Sequence, residues 1–178
     1  WLDALECAMA LGQALSIPSE SVLLASTGVI GKRIVMDKMH AGIPQLVAEA
    51  SETGGDAAAQ AIVTTDLVTK SIALETTMGD RPVRIGGIAK GSGMIHPNMA
   101  TMLAFVTCDA AVSPGLWQHM LSRAADKSFN QITVDGDTST NDCLIALANG
   151  QSRTPAITEM GAEAEKLEAM LTAVCQHL

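Results

Sequence analysis

Apolar residues recur three and four positions apart at both ends of the chain, and this spacing predicts amphipathic helices. The first predicted helix covers residues 2–15 and ends before Pro18. The last covers residues 160–178 and has the clearest pattern. Its apolar positions are Met160, Ala164, Leu167, Leu171, Val174 and Leu178.

Short apolar runs between these helices predict buried strands, and they lie at residues 22–25, 81–89, 102–106 and 143–148. Further helices are predicted at residues 43–50, at residues 57–63 and from Ser113-Pro114 onward. The buried face of that last helix comprises Leu116, Met120, Leu121 and Ala124. Because helices and strands are interspersed without regular alternation, the predicted fold class is α+β with layered sheets.

The composition and net charge limit the kinds of partner that the protein is expected to bind. Hydrophobic residues make up 48% of the 178 residues and charged residues 17%, which is typical of a globular domain. The net charge of −8 argues against nucleic acid and against an anionic membrane surface as partners. No apolar run approaches the roughly 20 residues that a membrane-spanning helix needs.

The four cysteines are scattered among apolar neighbours and lack the spacing of a metal site. They are Cys7, Cys108, Cys143 and Cys175. We therefore expect buried thiols and a reducing, cytoplasmic location.

A Gly-rich stretch, residues 86–93, superficially resembles a phosphate-binding loop. That loop requires Gly-Lys-Ser/Thr in this order at the start of a helix, whereas here Gly91 follows Lys90. The spacing also fails for a dinucleotide site, so a simple turn is the favoured interpretation.

An Asp-rich stretch, residues 135–142, superficially resembles a calcium-binding loop. The EF-hand pattern needs Gly at its sixth place and Glu at its twelfth, where this stretch has Thr140 and Ala146. Side chains that cap their own turn are the favoured interpretation, and no metal site is predicted.

Thr101 follows an irregular segment, residues 90–98, that contains His96. From composition alone Thr101 is simply the residue at the start of a strand, because an interior threonine hydroxyl is a poor nucleophile without an adjacent base. If the preceding bond is cut, however, Thr101 gains its own α-amine, a base with a pKa near 8.

Four ordered stretches together resemble the ornithine acetyltransferase family, the bifunctional glutamate N-acetyltransferases of arginine biosynthesis. They are Ala25-Ser26-Thr27-Gly28-Val29-Ile30-Gly31, Thr64-Thr65-Asp66, residues 85–105 and residues 128–142. Because the four occur in order over most of residues 22–150, this resemblance is more specific than any single Gly-rich match.

The resemblance implies a layered α/β/β/α-type sandwich and a precursor that cuts itself between Ala100 and Thr101. Thr101 then acts as the nucleophile that takes acetyl from N-acetylornithine and passes it to glutamate. An acetyl-threonine intermediate of this kind divides one difficult transfer into two easier steps.

The family's other site residues map onto four positions outside the cleavage junction. The Thr27 hydroxyl and the Gly28 N–H correspond to the oxyanion hole. The substrate contacts correspond to Thr64, Lys90 and Thr101 itself. A lysine suits the carboxylate of an amino-acid substrate.

The resemblance also implies no bound cofactor, with acetyl-coenzyme A as a second acetyl donor in many members. The expected partners are the remainder of the precursor, which completes the substrate pocket, and a second copy in an α2β2 heterotetramer. Residues 1–178 are accordingly predicted to be a single partial catalytic domain, a fragment of a longer precursor.

Two alternatives stay open at this point. One is a self-processing aminopeptidase or amidase of the N-terminal-nucleophile kind, which passes the acyl group to water. The other is a non-enzymatic module whose Gly-rich loop binds an anion.

Overall fold

The structure, a computed structural model, describes residues 1–96 and 102–178. The chain divides into two compact units, Trp1–Gly55 and Asp56–Leu178. The assignment of residues 1–178 to a single catalytic domain stays a prediction.

The first unit is built on two helices, α1 (Leu2–Leu15) and α2 (Met36–Glu49). α1 ends at Ser16, whose left-handed conformation (φ 57°) lets backbone N–H groups cap the last turn. Two side-chain contacts join the helix to later residues of this unit. Arg33 pairs with Asp3, and His40 Nε2 lies 2.7 Å from Glu6 Oε1.

The strand predicted at residues 22–25 is wrong. This segment belongs to no helix or strand, and the side chains of Leu23 and Leu24 are 61% and 42% exposed. A strand needs a neighbour to accept its backbone hydrogen bonds, and no described strand pairs with this segment.

The described residues of the second unit form one four-stranded sheet in the order β1-β2-β3-β4. Its elements are α3 (Gly55–Ala61, which begins at the boundary between the units), β1 (Lys70–Met78), β2 (Arg81–Lys90), β3 (Leu103–Cys108), α4 (Pro114–Asp126), β4 (Cys143–Ala148) and α5 (Ala162–His177). The first three strands are antiparallel, whereas β3 and β4 run parallel. The antiparallel hairpin turns at Gly79, which has φ +62°.

One face of the sheet is covered by α4 and α5. Val83 and Ile85 of β2 pack with Leu171 and Val174 of α5 in the apolar core, and all four are at most 1% exposed. α4 lies beside α5. Its Trp117 Nε1 donates a hydrogen bond to the backbone oxygen of Ala146 in β4, at 3.1 Å.

Most of the predicted elements are confirmed, and so is the α+β class. The four core positions predicted on α4 are buried or half-buried against the main cluster. β1 was missed because its inward positions, which are half-buried except for the buried Met78, alternate with polar or small residues. Within its described residues, the second unit forms one sheet and one helix layer, which are half of the layers that the resemblance implies.

Gly87 of β2 lies in close contact with the C-terminal end of α5. A Cβ atom at this position would lie 2.8 Å from Leu178 Cδ1, 3.0 Å from Val174 Cγ1 and 3.2 Å from Phe105 O. A side chain on residue 87 would therefore push the helix away from the sheet.

We therefore expect Gly87→Val to lower the free energy of unfolding by about 1–3 kcal/mol, the usual cost of overpacking a close-packed core. Urea unfolding followed by circular dichroism measures this. Gly115→Val is the matched control, since a Cβ there has no neighbour within 4 Å. Equal midpoints for the two variants would contradict this account of the packing.

Candidate functional site

The site residues predicted from the sequence lie in both units. Thr27 and Gly28 occupy the segment between α1 and α2, where Thr27 is half-buried and Gly28 is exposed. Thr64 and Lys90 belong to the second unit. Ala100 and Thr101 lie outside the described residues, so the cleavage and nucleophile assignments stay predictions.

Asp66 connects the segment that carries Thr64 to the strand that carries Lys90. Its buried Oδ1 accepts a hydrogen bond from the N–H of Gly91 at 2.7 Å and another from Lys70 Nζ. Lys70 Nζ also donates to Gly91 O at 2.9 Å. Two residues that are 26 positions apart in sequence, Thr64 and Lys90, are thus brought to adjoining backbone segments.

A second connection runs in parallel. The hydroxyls of Thr65 and Ser92 form a hydrogen bond at 2.7 Å. With Asp66 it holds residues 65–66 against residues 91–92, directly after the end of β2.

The electrostatics of Asp66 favour its charged form. Burial by itself raises the pKa of this carboxyl, but the hydrogen bonds from Lys70 and Gly91, the Lys70 charge and the Thr64 backbone outweigh burial. The pKa therefore lies below the ordinary aspartate value of 3.8.

Lys90 ends β2 opposite Leu103 of β3 and is only 4% exposed. An ammonium group is rarely buried unless a partner of opposite charge lies near it. Lys90 and Met102 also border a small cavity of about 180 Å³. Its remaining walls are Lys70, Ala89, Gly91, Ser92, Ile95, Phe129, Ile132, Val134 and Leu178.

Asp142 is an acidic residue on which the charge of Lys90 acts. Its Oδ1 accepts the N–H of Met102 at 2.7 Å, while its Oδ2 is buried without a partner among the described residues. Burial raises the pKa of Asp142, and the Met102 hydrogen bond and the Lys90 charge offset only part of that effect.

The Gly-rich stretch is not the turn that we expected over its whole length. Its first half, up to Lys90, belongs to β2, and residues 91–96 contain no helix. A helix that starts after the lysine is what a phosphate-binding loop requires. The local structure therefore also argues against a phosphate-binding loop at residues 86–93.

The Asp-rich stretch bonds to its own turn only in part. Asp135 Oδ1 accepts the N–H of Asp137 at 3.4 Å, in agreement with the prediction. Shorter hydrogen bonds, however, go to the distant backbone N–H groups of Met94 and Ile95. The pKa of Asp135 is lowered chiefly by the Met94 hydrogen bond.

The four cysteines carry free thiols; three are buried and Cys143 is half-buried. Burial raises the pKa of Cys175 to about 11. Among the described residues, no group of three or more His, Cys, Asp or Glu side chains is arranged to hold a metal ion. None of the described helices is both long enough and apolar enough to cross a membrane.

Sequence reasoning missed the roles of Asp66, Asp135 and Asp142. Each side chain accepts a hydrogen bond from a backbone N–H at least 25 positions away. Asp66 could have been noticed as the third residue of the Thr64-Thr65-Asp66 stretch. Its partner could not, since any residue offers a backbone N–H.

The whole chain is similar to proteins of one family. The ArgJ family model matches residues 1–178. The chain is 79% identical to the arginine biosynthesis bifunctional protein ArgJ 1 of Nostoc sp., over 99% of this chain and 43% of the relative. It is 75% identical to the Synechococcus sp. protein of that name, ArgJ, over 100% of this chain and 43% of the relative.

A chloroplastic relative and a solved structure extend the comparison. The chloroplastic ArgJ protein of Physcomitrium patens is 54% identical, over 99% of this chain and 34% of the relative. The crystal structure of the ArgJ protein from Bacillus halodurans has 40% sequence identity and a TM-score of 0.49, over 55% of this chain and 51% of that chain. The chain thus spans about 43% of the length of the cyanobacterial relatives.

We expect Asp66 and Asp142 to titrate on opposite sides of the ordinary value of 3.8. The lowered pKa of Asp66 means that its contribution to stability is present above 3.8 and is lost as the pH falls through its folded value. The raised pKa of Asp142 has the opposite effect on stability. Its ionisation is disfavoured in the folded state, so stability falls as the pH rises above 3.8 through its folded value. Carboxyl ¹³C NMR titration measures both midpoints, and midpoints in the reverse order would contradict the assignment.

Proposed function

Because the chain belongs to the ArgJ family, we propose that its parent protein is an acetyltransferase of arginine biosynthesis that moves acetyl from N-acetylornithine to glutamate. The observation that carries the proposal is the family match over the whole chain, with the site motifs in order within it. The chain spans 43% of its cyanobacterial relatives' length, so the activity is assigned to the complete protein.

In this proposal the Thr101 hydroxyl attacks the acetyl carbonyl of N-acetylornithine. The α-amine of Thr101 takes the hydroxyl proton and returns it to the departing ornithine amine, which leaves an acetyl ester on Thr101. The amine of glutamate then attacks that ester, and Thr101 regains its proton. Acetyl-coenzyme A serves as a second donor to the same hydroxyl, and no bound cofactor takes part.

The oxyanion that forms during each attack needs hydrogen-bond donors that are already in place. We assign this role to the Thr27 hydroxyl and the Gly28 N–H. The assignment is supported by the open surroundings of Gly28, where a Cβ atom would have no neighbour within 4 Å. A substrate oxygen can therefore approach this backbone closely.

We assign the recognition of the substrate carboxylate to Lys90 and Thr64. The burial of the Lys90 ammonium supports this, since a charge shielded from water interacts more strongly with a ligand of opposite charge. The hydrogen bonds of Asp66 also support it, because they join the segments that carry the two residues.

The proposal includes self-cleavage between Ala100 and Thr101 and assembly of the two products as an α2β2 heterotetramer in the cytoplasm. Scattered and mostly buried cysteines support a reducing compartment. The charge of −8 supports the absence of nucleic acid and membrane partners. The amidase and the anion-binding module are not favoured, since the relatives are named arginine biosynthesis bifunctional proteins.

Thr101→Ala in the full-length protein should leave one uncut chain without acetyltransferase activity, because the variant lacks the hydroxyl that performs both steps. Intact-mass spectrometry of the purified protein and an assay of acetyl transfer to glutamate measure the two losses. Recovery of two fragments divided at residue 101 from this variant would exclude the proposed role of Thr101. If the unsubstituted protein cuts itself but only hydrolyses N-acetylornithine, without transfer of acetyl to glutamate, the amidase is favoured.

Lys90→Met should raise the Michaelis constants for N-acetylornithine and glutamate about ten- to a hundredfold, the effect of losing one charge-assisted contact. Steady-state kinetics of the complete enzyme measure this. Lys38→Met, on the exposed surface of α2, is the control and should leave both constants unchanged. Unchanged constants for Lys90→Met would rule out Lys90 as a substrate ligand.

A further inference from the structure

We propose that Asp135 and Asp142 are positioning residues that hold the two ends of the segment in which the chain is cut. This inference rests on the proposed self-cleavage between Ala100 and Thr101. It gives a role to the Asp-rich stretch, residues 135–142, which the acetyl transfer chemistry does not use. Neither aspartate is assigned a contact with substrate.

The upstream end is held by Asp135 and its neighbour. Asp135 Oδ2 accepts the N–H of Met94 at 2.6 Å, and Asp135 Oδ1 accepts the N–H of Ile95 at 3.1 Å. Val134 N–H donates in turn to Ile95 O at 2.7 Å. Three hydrogen bonds therefore join residues 94–95 to residues 134–135.

Met94 shows that this end is constrained. Its φ of +53° lies in the left-handed region, which a methionine rarely adopts. Such a conformation persists only where the surrounding structure holds it, and the Asp135 hydrogen bond acts on the N–H of this residue.

The downstream end is held by Asp142 and Cys143. Asp142 Oδ1 accepts the N–H of Met102 at 2.7 Å, and Cys143 N–H donates to Met102 O at 3.0 Å. Both backbone groups of the residue directly after Thr101 are therefore bonded to one short segment, just where β3 and β4 begin to pair.

Residues 134–143 thus hold the chain both before and after the proposed cleavage site. In self-cleavage the Thr101 hydroxyl attacks the Ala100 carbonyl carbon, the C–N bond breaks, and the acyl group moves to oxygen as the hydroxyl proton passes to the amine. Water then hydrolyses the ester and releases the Ala100 carboxylate. Such an attack depends on alignment of the reacting atoms. Asp135 and Asp142 contribute to it by holding Met94, Ile95 and Met102, described residues on either side of the proposed cleavage site.

The test measures the rate of self-cleavage of the full-length precursor after synthesis, by intact mass or gel densitometry. Asp142→Ala and Asp135→Ala should each slow cleavage about tenfold or more, since both lose a charge-assisted anchor. Asp142→Asn should restore much of the rate, because its amide oxygen still accepts the Met102 N–H. Rescue by this conservative variant would show that Asp142 acts by accepting the Met102 hydrogen bond and that its negative charge is not required.

Asp109→Ala is the matched control. Asp109 Oδ1 also accepts a backbone N–H, that of Arg84 at 2.7 Å, but it follows the opposite end of β3. Asp109→Ala should therefore be cut at the unsubstituted rate. An equal loss of rate in Asp109→Ala and Asp142→Ala would show general destabilisation and overturn the proposal.

Hydrogen exchange covers the case in which an alanine variant folds poorly. In the Thr101→Ala precursor, adding Asp142→Asn or Asp142→Ala should accelerate exchange of the Met102 amide, and more so for Ala. Parental cleavage rates in both Asp135→Ala and Asp142→Ala would overturn the proposal and leave the proposed function standing. An unsubstituted precursor that never cuts itself would overturn both.

Discussion

The packing of α5 on the sheet is the interaction on which the second unit depends. Leu167, Leu171 and Val174 are completely buried, and each such side chain stabilises the fold by about 1.5–3 kcal/mol through burial. Because one sheet face must meet this helix, the strand register is strongly specified. A slip by one residue would turn the inward Ile85 and Ala89 outward. The same register places Lys90, at the end of β2, opposite Leu103 of β3.

The parallel pairing of β3 and β4 has a separate consequence for the site. Leu103 lies opposite Cys143 at the start of both strands. In a parallel pair the residues that precede these two also lie side by side, so Met102 and Asp142 must be neighbours. An antiparallel pairing would have placed the Asp-rich stretch at the opposite end of β3. The contact between an acidic loop and the residue after Thr101 is therefore a result of topology.

Asp66 and Asp142 occupy different electrostatic environments, although both residues are half-buried. Asp66 receives hydrogen bonds from a lysine and a backbone N–H, and together with the Lys70 charge and the Thr64 backbone these outweigh the effect of burial on its pKa. Asp142 receives one backbone hydrogen bond and has a buried oxygen without a described partner, so burial dominates. Asp66 thus acts as a stable negative anchor for Lys70 and Gly91. The charge of Lys90 favours ionisation of Asp142, which couples these two residues electrostatically.

The sequence by itself determined the α+β class, the amphipathic helices and most strands, because these depend on the local spacing of apolar residues. Leu167 and Leu171 on α5 and Met120 on α4 were all predictable in this way. The motif stretches likewise identified the family, and they predict the site positions Thr27, Gly28, Thr64, Lys90 and Thr101. The tertiary structure alone decided that Asp66 bonds to Gly91 and that Asp142 bonds to Met102. Their partners are backbone N–H groups, which every residue except proline carries, so no pattern of side chains identifies them. It also decided that residues 22–25 are not a strand, since strand formation depends on a neighbour elsewhere in the chain.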